Sequence, residues 1–383
     1  MQNEKECVPL HRKSAIIMSF RKTISWVFFP FTIWYGVGVW FRNRLFDMGL
    51  KKQTAPSVTT IGVGNLCAGG AGKTPHVEYL LRLLSEQYRT ALLSRGYGRK
   101  TRGFLTDDGT HSATALGDEP AMVARKFPKV QVAVCEKRVE GIERLMAQEN
   151  PPQLVVMDDT FQHRYVKPTV NLLLTEYGKP YYKDLIMPFG DLREGRRARY
   201  RANIVVVTKS PEVLNPIDRH NITNSLGLLP YQKVFFSYMH YGDLVPLGGG
   251  RPLTLTERHK VLLVTGIAHP EPLLAHLKKS CEVTHLAYSD HHRYSLSDIK
   301  RIRKAYEQMG GTEAVVVTTE KDAARLYPFL EDGELEGLPV YCQPIEVRLH
   351  QSKEYNFDQS IQSIVGENIL FQHKMRTTTF HSL

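Results

Sequence analysis

"NLCAGGAGKTPH", residues 65–76, decides the fold of this 383-residue chain. It closes on Gly72-Lys73-Thr74, the end of the phosphate-loop pattern G-x-x-x-x-G-K-[ST], in which backbone N–H groups and a lysine hold phosphates. Where that pattern opens on glycine the chain has Cys67, and Pro75 follows at once. The surroundings still favour a loop of this kind. "VTTIGVGN" before it reads as a strand, and residues 73–87 read as a helix with Val77, Leu80, Leu81 and Leu84 at helical spacing. A helix N-terminus offers free N–H groups and the positive end of a dipole. Proline is accepted in the first turn, where its missing N–H is not needed. Gly69 and Gly70 can supply the unusual dihedrals. The expected cradle is therefore Asn65, Gly69, Gly70, Ala71, Gly72, Lys73, Thr74 and Pro75. A dinucleotide reading fails, because Gly62-Val63-Gly64 would need a third glycine at position 67.

Outward from the loop, apolar runs alternate with helical patterns. "TALLS", "KVQVAVC", "PPQLVVMDD", "VNLLLT" and "NIVVVTK" read as further strands, which implies a parallel sheet covered by helices on both faces. A phosphate loop also requires an apolar strand ending in aspartate for magnesium, and "LVVMDD" ends in Asp158 and Asp159. Guanine-reading proteins often use [NT]-K-x-D. "TKSP" has Pro211 in place of the acid and "TEKD" has Asp322 shifted, so the expected nucleotide is ATP with Mg2+. The composition changes between about 209 and 255, after which alternation resumes with "KVLLVTGIA", "CEVTHLAY", "EAVVVTTE" and "LPVYCQPI". The expected organisation is α/β. An N-terminal extension and membrane-associated helix (1–50) precede a P-loop-containing parallel-sheet domain (51–210). An irregular or two-stranded linker (211–258), a second, smaller α/β domain (259–365) and a patternless tail (366–383) follow.

The formal charge of +11 favours anionic partners: nucleic acid, acidic membrane surface or phosphorylated metabolites. Nucleic acid would want aromatics interleaved with the basic runs, and the arginine run 193–201 has only Tyr200, so no nucleic-acid partner is expected. The five cysteines are scattered with no C-x-x-C pair, which fits reduced thiols and excludes a zinc knuckle or a disulfide framework. All three tryptophans sit in "ISWVFFPFTIWYGVGVWFRNRLF", whose residues 24–41 carry no charge. The stretch is barely long enough to cross a bilayer and contains Pro30. Bulky, basic "VWFRNRLF" is no signal-peptidase site. A membrane-embedded or interfacial helix is favoured over a core helix with an aromatic face, and residues before Met18 contribute little.

Other clusters leave two readings each. Asp118 and Glu119 precede Pro120 as a helix start would, or they carry chemistry. Gln162 and His163 follow the acids, where a loop at a strand's C-terminal end faces ligand. The run with Arg193, Glu194, Arg196 and Arg197 is a solvated face or an anion site. His291, beside Asp290 and His292, is a general base or a helix start. Zinc ligand spacing is missing.

Taken together, "VGNLCAGGAGKTP", "SRGYGRK", "GDEP", "DDTFQHR", "PFGDLREG" and "SDHHRY" resemble the tetraacyldisaccharide 4′-kinase family, inner-membrane enzymes of lipid A biosynthesis. The resemblance implies transfer of the γ-phosphate of ATP to the 4′-hydroxyl of a tetraacylated glucosamine disaccharide 1-phosphate, at the cytoplasmic face of the inner membrane. It implies that Lys73 holds the β- and γ-phosphates and that Thr74 reaches magnesium, with Asp158, Asp159 and Glu194 in the metal neighbourhood. Asp118 and His291, from different lobes, would form the dyad that takes the proton from the attacking hydroxyl. Arg95 and Arg193 would suit phosphate groups, and the family's loop is similarly G-G-x-G-K-T-P without the leading glycine.

Overall fold

The computed structural model describes residues 31–310, 313–351 and 356–380. Cys7, Met18, Trp26, Pro30 and the first part of the apolar stretch lie outside the described residues. Helix α1 covers residues 31–47. There follow β1 (Thr59–Asn65), α2 (Lys73–Leu84), β2 (Thr90–Ser94), β3 (Leu105–Thr106), α3 (Ala113–Leu116), α4 (Asp118–Lys126), β4 (Gln131–Val134), α5 (Arg138–Met146), β5 (Leu154–Met157), β6 (Val170–Glu176), β7 (Ile204–Thr208), α6 (Pro216–Ser225) and β8 (Lys233–Tyr241). The chain then forms β9 (Val245–Pro246), β10 (Lys260–Thr265), α7 (Glu271–Leu277), β11 (Glu282–Ala287), α8 (Leu296–Met309), β12 (Ala314–Thr319), α9 (Glu320–Glu331) and β13 (Val340–Gln343). It closes with β14 (Ile345–Leu349) and α10 (Phe357–Phe380).

Two sheets result, a nine-stranded one in the order β14-β8-β7-β6-β1-β5-β2-β4-β3 and a five-stranded one in the order β11-β10-β12-β13-β9. Pairing is parallel except at β14–β8, β3–β4 and β13–β9. Strands β1, β2 and β7 are buried along their whole length, as strands covered on both faces must be, which is why they read as unbroken apolar runs. Ile61, Val63, Val156 and Leu172 meet Val77, Leu80, Leu81 and Leu84 of α2 on one face. Leu93, Val155 and Met157 meet Ile142 and Leu145 of α5 on the other. The strand order reverses around β1, so the loops after β1 and β5 diverge and leave a crevice at their carboxyl ends.

Two features differ from the sequence expectation, and a pair of glycines finds its reason in packing. The run "LPVYCQPI" is split at Pro344: β13 stays in the second sheet, while β14 crosses back and pairs antiparallel with β8 of the first. The two strands joining the lobes are thus β8 and β14, tied at the crossing by Gly242 N–H to the Pro344 carbonyl (3.3 Å) and the Gln343 amide to the Gly242 carbonyl (2.7 Å). Residues 366–380 of the patternless tail belong to helix α10, which starts at Phe357 within the stretch expected for the second domain; Phe357, Ile361 and Val365 recur every four residues and pack into the core of the first lobe. Its other faces mix polar and apolar residues, which hides the period. Gly62 and Gly64 are packing glycines, since a Cβ at Gly62 would meet Thr160 Oγ1 at 2.8 Å and one at Gly64 would meet Phe161 Cβ at 2.6 Å.

Candidate active site

The loop between β1 and α2 is built in two halves. In the first, Leu66–Ala68 run extended against the segment around Leu192: Cys67 bridges Leu192, Ala68 N–H donates to the Asp191 carbonyl (2.6 Å) and Arg193 N–H to the Leu66 carbonyl (2.8 Å). A residue in such a pairing has no need of glycine's freedom, which explains Cys67 at the position the common pattern gives to glycine. Burial, then the Asp184 charge, pushes its thiol up to about 12, so it is no nucleophile at neutral pH. The second half turns on Gly69 (φ 116°) and Gly72 (φ 79°), left-handed conformations that only glycine adopts at little cost. A Cβ at Gly69 or Gly70 would touch nothing, so the backbone there is open to a ligand. Asn65 closes the loop from within, its amide donating to the carbonyls of Cys67 (2.7 Å) and Gly69 (3.5 Å) while its Oδ1 accepts from Lys73 Nζ (3.3 Å).

Lys73 also lies 3.5 Å from Asp159, which accepts from Arg193 Nη1 at 3.2 Å. Burial alone would raise Asp159, but Lys73 and then Arg193 outweigh it and hold this carboxyl below its ordinary range. Asp158 behaves oppositely. Burial, reinforced by Glu119 and Asp159, raises it well above the carboxylate range against the pull of Lys73 and Arg138. Its Oδ1 is buried without a hydrogen-bond partner, as is Oε1 of Glu194. An orphaned carboxylate oxygen at a strand's end, within the field of Lys73 from the phosphate loop, fits a hard cation. Among the described residues no three His, Cys, Asp or Glu side chains form a metal cluster. Magnesium is commonly held by one or two carboxylates and takes its other ligands from phosphates and water.

Gln162 and His163 stand beside these acids. Gln162 donates to the Asn65 carbonyl (2.8 Å) and its Oε1 accepts from Arg193 (3.4 Å). Burial, then the charges of Arg138 and Arg95, push His163 down to about 4, so its ring is neutral at pH 7. Arg95 is exposed at the end of β2. Glu194 is almost fully buried, and its Oε2 accepts from Asn43 (2.9 Å) and Arg201 (2.9 Å). That bond is one of several that fasten α1 to the site. Tyr35 donates to the Arg193 carbonyl (3.1 Å), Arg42 to the Gln162 carbonyl (3.2 Å), and Arg164 to Asp47 (2.6 Å). The helix keeps its polar side on these loops and leaves Phe31, Trp34, Val37, Trp40 and Phe41 exposed. Among the described residues no helix is long and apolar enough to cross a membrane.

Asp118 and His291 meet across the lobes, His291 Nδ1 lying 3.5 Å from Asp118 Oδ2. Asp118 opens α4, but Gly117 is the N-cap and no side chain caps the helix. His292 turns away to Asp298 (3.0 Å) and stacks on Tyr288. The seam has further charged contacts: Lys321 with Glu119, Lys126 with Glu78 and Glu320, and Arg325 with Asp118. "TEKD" therefore serves the seam, with Asp322 receiving Gly266 N–H (3.0 Å). Sequence reasoning missed Arg325, Asn43, Tyr35 and Arg138. Arg138 is buried beneath the acids and donates to the carbonyls of Cys135 and Asp158, tying the ends of β4 and β5. No local pattern marks these residues, because their partners lie on distant segments.

His76, buried in α2, ties the Gly72 carbonyl (2.7 Å) to Ser237 of β8 (2.9 Å) and so links the loop to the strand that leads to the second lobe. Burial drives it down to about 4 against the opposing bond to Gly72. Its folded value lies below its unfolded one, so its stabilising effect is complete above pH ~6.5 and is lost as pH falls toward ~4. Chemical denaturation of His76→Gln beside wild type should show a stability gap that is largest at pH 7 and narrows by about 3 kcal/mol on acidification to pH ~4.

The glycine loop opening a helix beside β1, the acid pair ending the neighbouring strand with Asp158 buried, and the doubly covered parallel sheet define a P-loop nucleotide-binding α/β protein. Comparison with known proteins narrows the class. The family model for tetraacyldisaccharide-1-P 4′-kinase (LpxK) matches residues 24–365. A tetraacyldisaccharide 4′-kinase of Bacteroides thetaiotaomicron is 41% identical over 364 residues, covering 91% of this chain and 95% of that protein. One from Flavobacterium johnsoniae is 42% identical, covering 90% of this chain and 98% of that protein. The crystal structure of LpxK from Aquifex aeolicus in complex with ATP superposes with a TM-score of 0.69 at 26% identity, covering 91% of this chain and 99% of that one. The chain belongs to the tetraacyldisaccharide 4′-kinase family.

Proposed function

We propose that this protein is an ATP-dependent kinase that phosphorylates the 4′-hydroxyl of a tetraacylated glucosamine disaccharide 1-phosphate. One juxtaposition carries the reading. The phosphate cradle, the buried acids and the helix with an exposed apolar face share the same two loops, through Asn43–Glu194, Tyr35–Arg193 and Arg42–Gln162. A nucleotide site and a lipid-facing helix built on common residues suit a reaction between a water-soluble donor and an acceptor that stays in a membrane.

Within this reading Lys73 and the N–H groups of residues 69–74 neutralise the β- and γ-phosphates. Thr74 and Asp158 would hold magnesium, with Asp159 and Glu194 as further candidate carboxylates; the ion, when bound, would supply charge neutralisation on the transferring phosphoryl group. Arg193 and Arg95 suit anionic groups of donor or acceptor, and Gln162 and His163 line the approach. Asp118 and His291 take the proton from the attacking hydroxyl, a weak nucleophile at neutral pH that a positioned base assists. A cavity of about 480 Å³ leads from Thr74 past Lys209 and Ser210 to Ile267, His269 and Thr319 of the second lobe, which is room for the nucleoside.

Supplying γ-labelled ATP, Mg2+ and the lipid disaccharide 1-phosphate in detergent tests the proposal directly. Labelled lipid is the expected product. ATP turnover without it would overturn the reading in favour of a nucleotide switch.

The exposed face of α1 lies on the membrane rather than across it, at the cytoplasmic surface of the inner membrane, and the excess of +11 suits an anionic leaflet. Trp34 is 76% exposed and Trp40 64%, far more than a folded protein leaves such rings without a use. Vesicle sedimentation should show that Trp34→Glu and Trp40→Glu each weaken binding to anionic vesicles by on the order of tenfold, with turnover of detergent-dispersed substrate much less affected.

A further inference from the structure

Arg325 of α9 occupies the centre of the seam, its side chain only 8% exposed. Nε and Nη2 both donate to the same oxygen, Asp118 Oδ2, at 3.0 and 2.7 Å. Nη1 donates to Asp322 Oδ1 (3.0 Å) and to the Gly266 carbonyl (3.2 Å). Asp322 is wholly buried, and its Oδ2 accepts from Gly266 N–H and Thr319 Oγ1. The Gly266 carbonyl also accepts the backbone N–H of His291 (3.0 Å). One rigid frame therefore sets both the guanidinium and the histidine. Gly266 leaves it no slack, since a Cβ there would meet Asp322 Oδ1 at 3.0 Å and His292 Cβ at 3.1 Å.

The N–H left over, the second on Nη2, faces His291 Nδ1 at 3.1 Å. A guanidinium only donates, so the ring nitrogen facing it must present its lone pair. A doubly protonated ring would set donor against donor. The groups facing His291 are Asp118 of α4 (3.5 Å), its neighbour Asp290 (3.9 Å from Nε2), the Tyr97 ring from the loop after β2 (5.9 Å between centroids) and Arg325. The carboxylates favour an imidazolium, and Arg325 is the cation set against it. The two hydrogen bonds it donates to Oδ2 also leave Oδ1 as the oxygen of Asp118 open to a hydroxyl.

We infer that Arg325 is a positioning residue for phosphoryl transfer, which orients Asp118 by a two-point grip on one oxygen and orients the His291 ring by donating to Nδ1. The inference rests on the kinase reading above. It also distinguishes Arg325 from Lys321, whose ion pair with Glu119 ties the same seam without touching Asp118 or His291.

The test is kcat against pH for the full-length protein in detergent, with γ-labelled ATP, Mg2+ and the lipid disaccharide, in wild type, Arg325→Gln, Arg325→Lys and Lys321→Ala. Arg325→Gln should lower kcat about 100-fold with KM for ATP within about threefold. The acid limb of its profile should move up by about one pH unit, because an imidazolium at 291 is no longer opposed. Arg325→Lys keeps the charge but not the fork; it should recover about tenfold in kcat and return the limb to its wild-type place. Lys321→Ala should leave the limb where it is. An unmoved limb in Arg325→Gln, or the same displacement in Lys321→Ala, would overturn the inference. Should Arg325→Gln not fold, Arg325→Lys decides: reduced kcat with an unmoved limb supports the role, and wild-type kcat overturns it. Wild-type protein that labels no lipid would instead overturn the kinase reading itself.

Discussion

Lys73→Met is expected to lower kcat for lipid phosphorylation by about 1,000-fold or more while leaving the fold intact. The substitution keeps an unbranched stem of nearly the same reach and removes the ammonium group with its charge and donors. In the resting site that charge is shared between Asn65 Oδ1 at 3.3 Å and Asp159 at 3.5 Å. Neither bond is lost without a substitute: Asn65 keeps its two bonds to the loop carbonyls, and Asp159 keeps Arg193. The effect therefore falls on the reaction, in which negative charge on the transferring phosphoryl group goes uncompensated inside a crevice where a lysine is worth far more than in water. The check is labelled-lipid formation under saturating ATP, with thermal unfolding alongside. A melting temperature within a few degrees of wild type, together with the lost rate, is the expected pair. A rate within tenfold of wild type would remove Lys73 from the chemistry and leave it as a tether between Asn65 and Asp159.

That Lys73 could be singled out from sequence, whereas Arg325 could not, has a physical reason. The phosphate loop is local: strand, glycines, lysine and helix start lie within 26 residues, and each part carries its own period or turn chemistry. The same holds for Asp158 and Asp159, which follow an apolar run buried on both sides. The lobe order was legible for this reason too, since doubly covered parallel strands announce themselves. What escaped was whatever a second segment decides. The pairing of Cys67 with Leu192 is such a case, since no local pattern announces it. That Glu194 Oε2 bonds to Asn43 and Arg201 depends on two other segments and could not be read from the acid's own surroundings. Strand β14 was hidden behind a proline that marks a change of sheet, and α10 shows only three core residues at helical spacing.

The same distinction governs Asp118, whose sequence admits two roles. As an acid in the first turn of α4 it would interact only with the helix dipole, worth about 0.3–1 kcal/mol of stability, and turnover would not depend on it. As a base it would govern the rate. Asp118→Asn separates these. It preserves shape, leaves Gly117 as the N-cap and removes the charge that Arg325 grips and His291 faces. We expect kcat to fall by roughly 100- to 10,000-fold with KM for ATP little changed, the mark of a group that acts on the proton in the transition state and not on the nucleotide in the ground state. His291→Ala should cost a comparable factor, and the double variant scarcely more than the worse single one, because two residues that move one proton act as a unit. Strictly multiplicative losses would mean that the two side chains act independently and that their 3.5 Å approach is a feature of the seam alone. Turnover that survives both substitutions would leave the phosphate cradle as the whole of the catalytic apparatus, with the acceptor hydroxyl losing its proton to water or to the phosphoryl group.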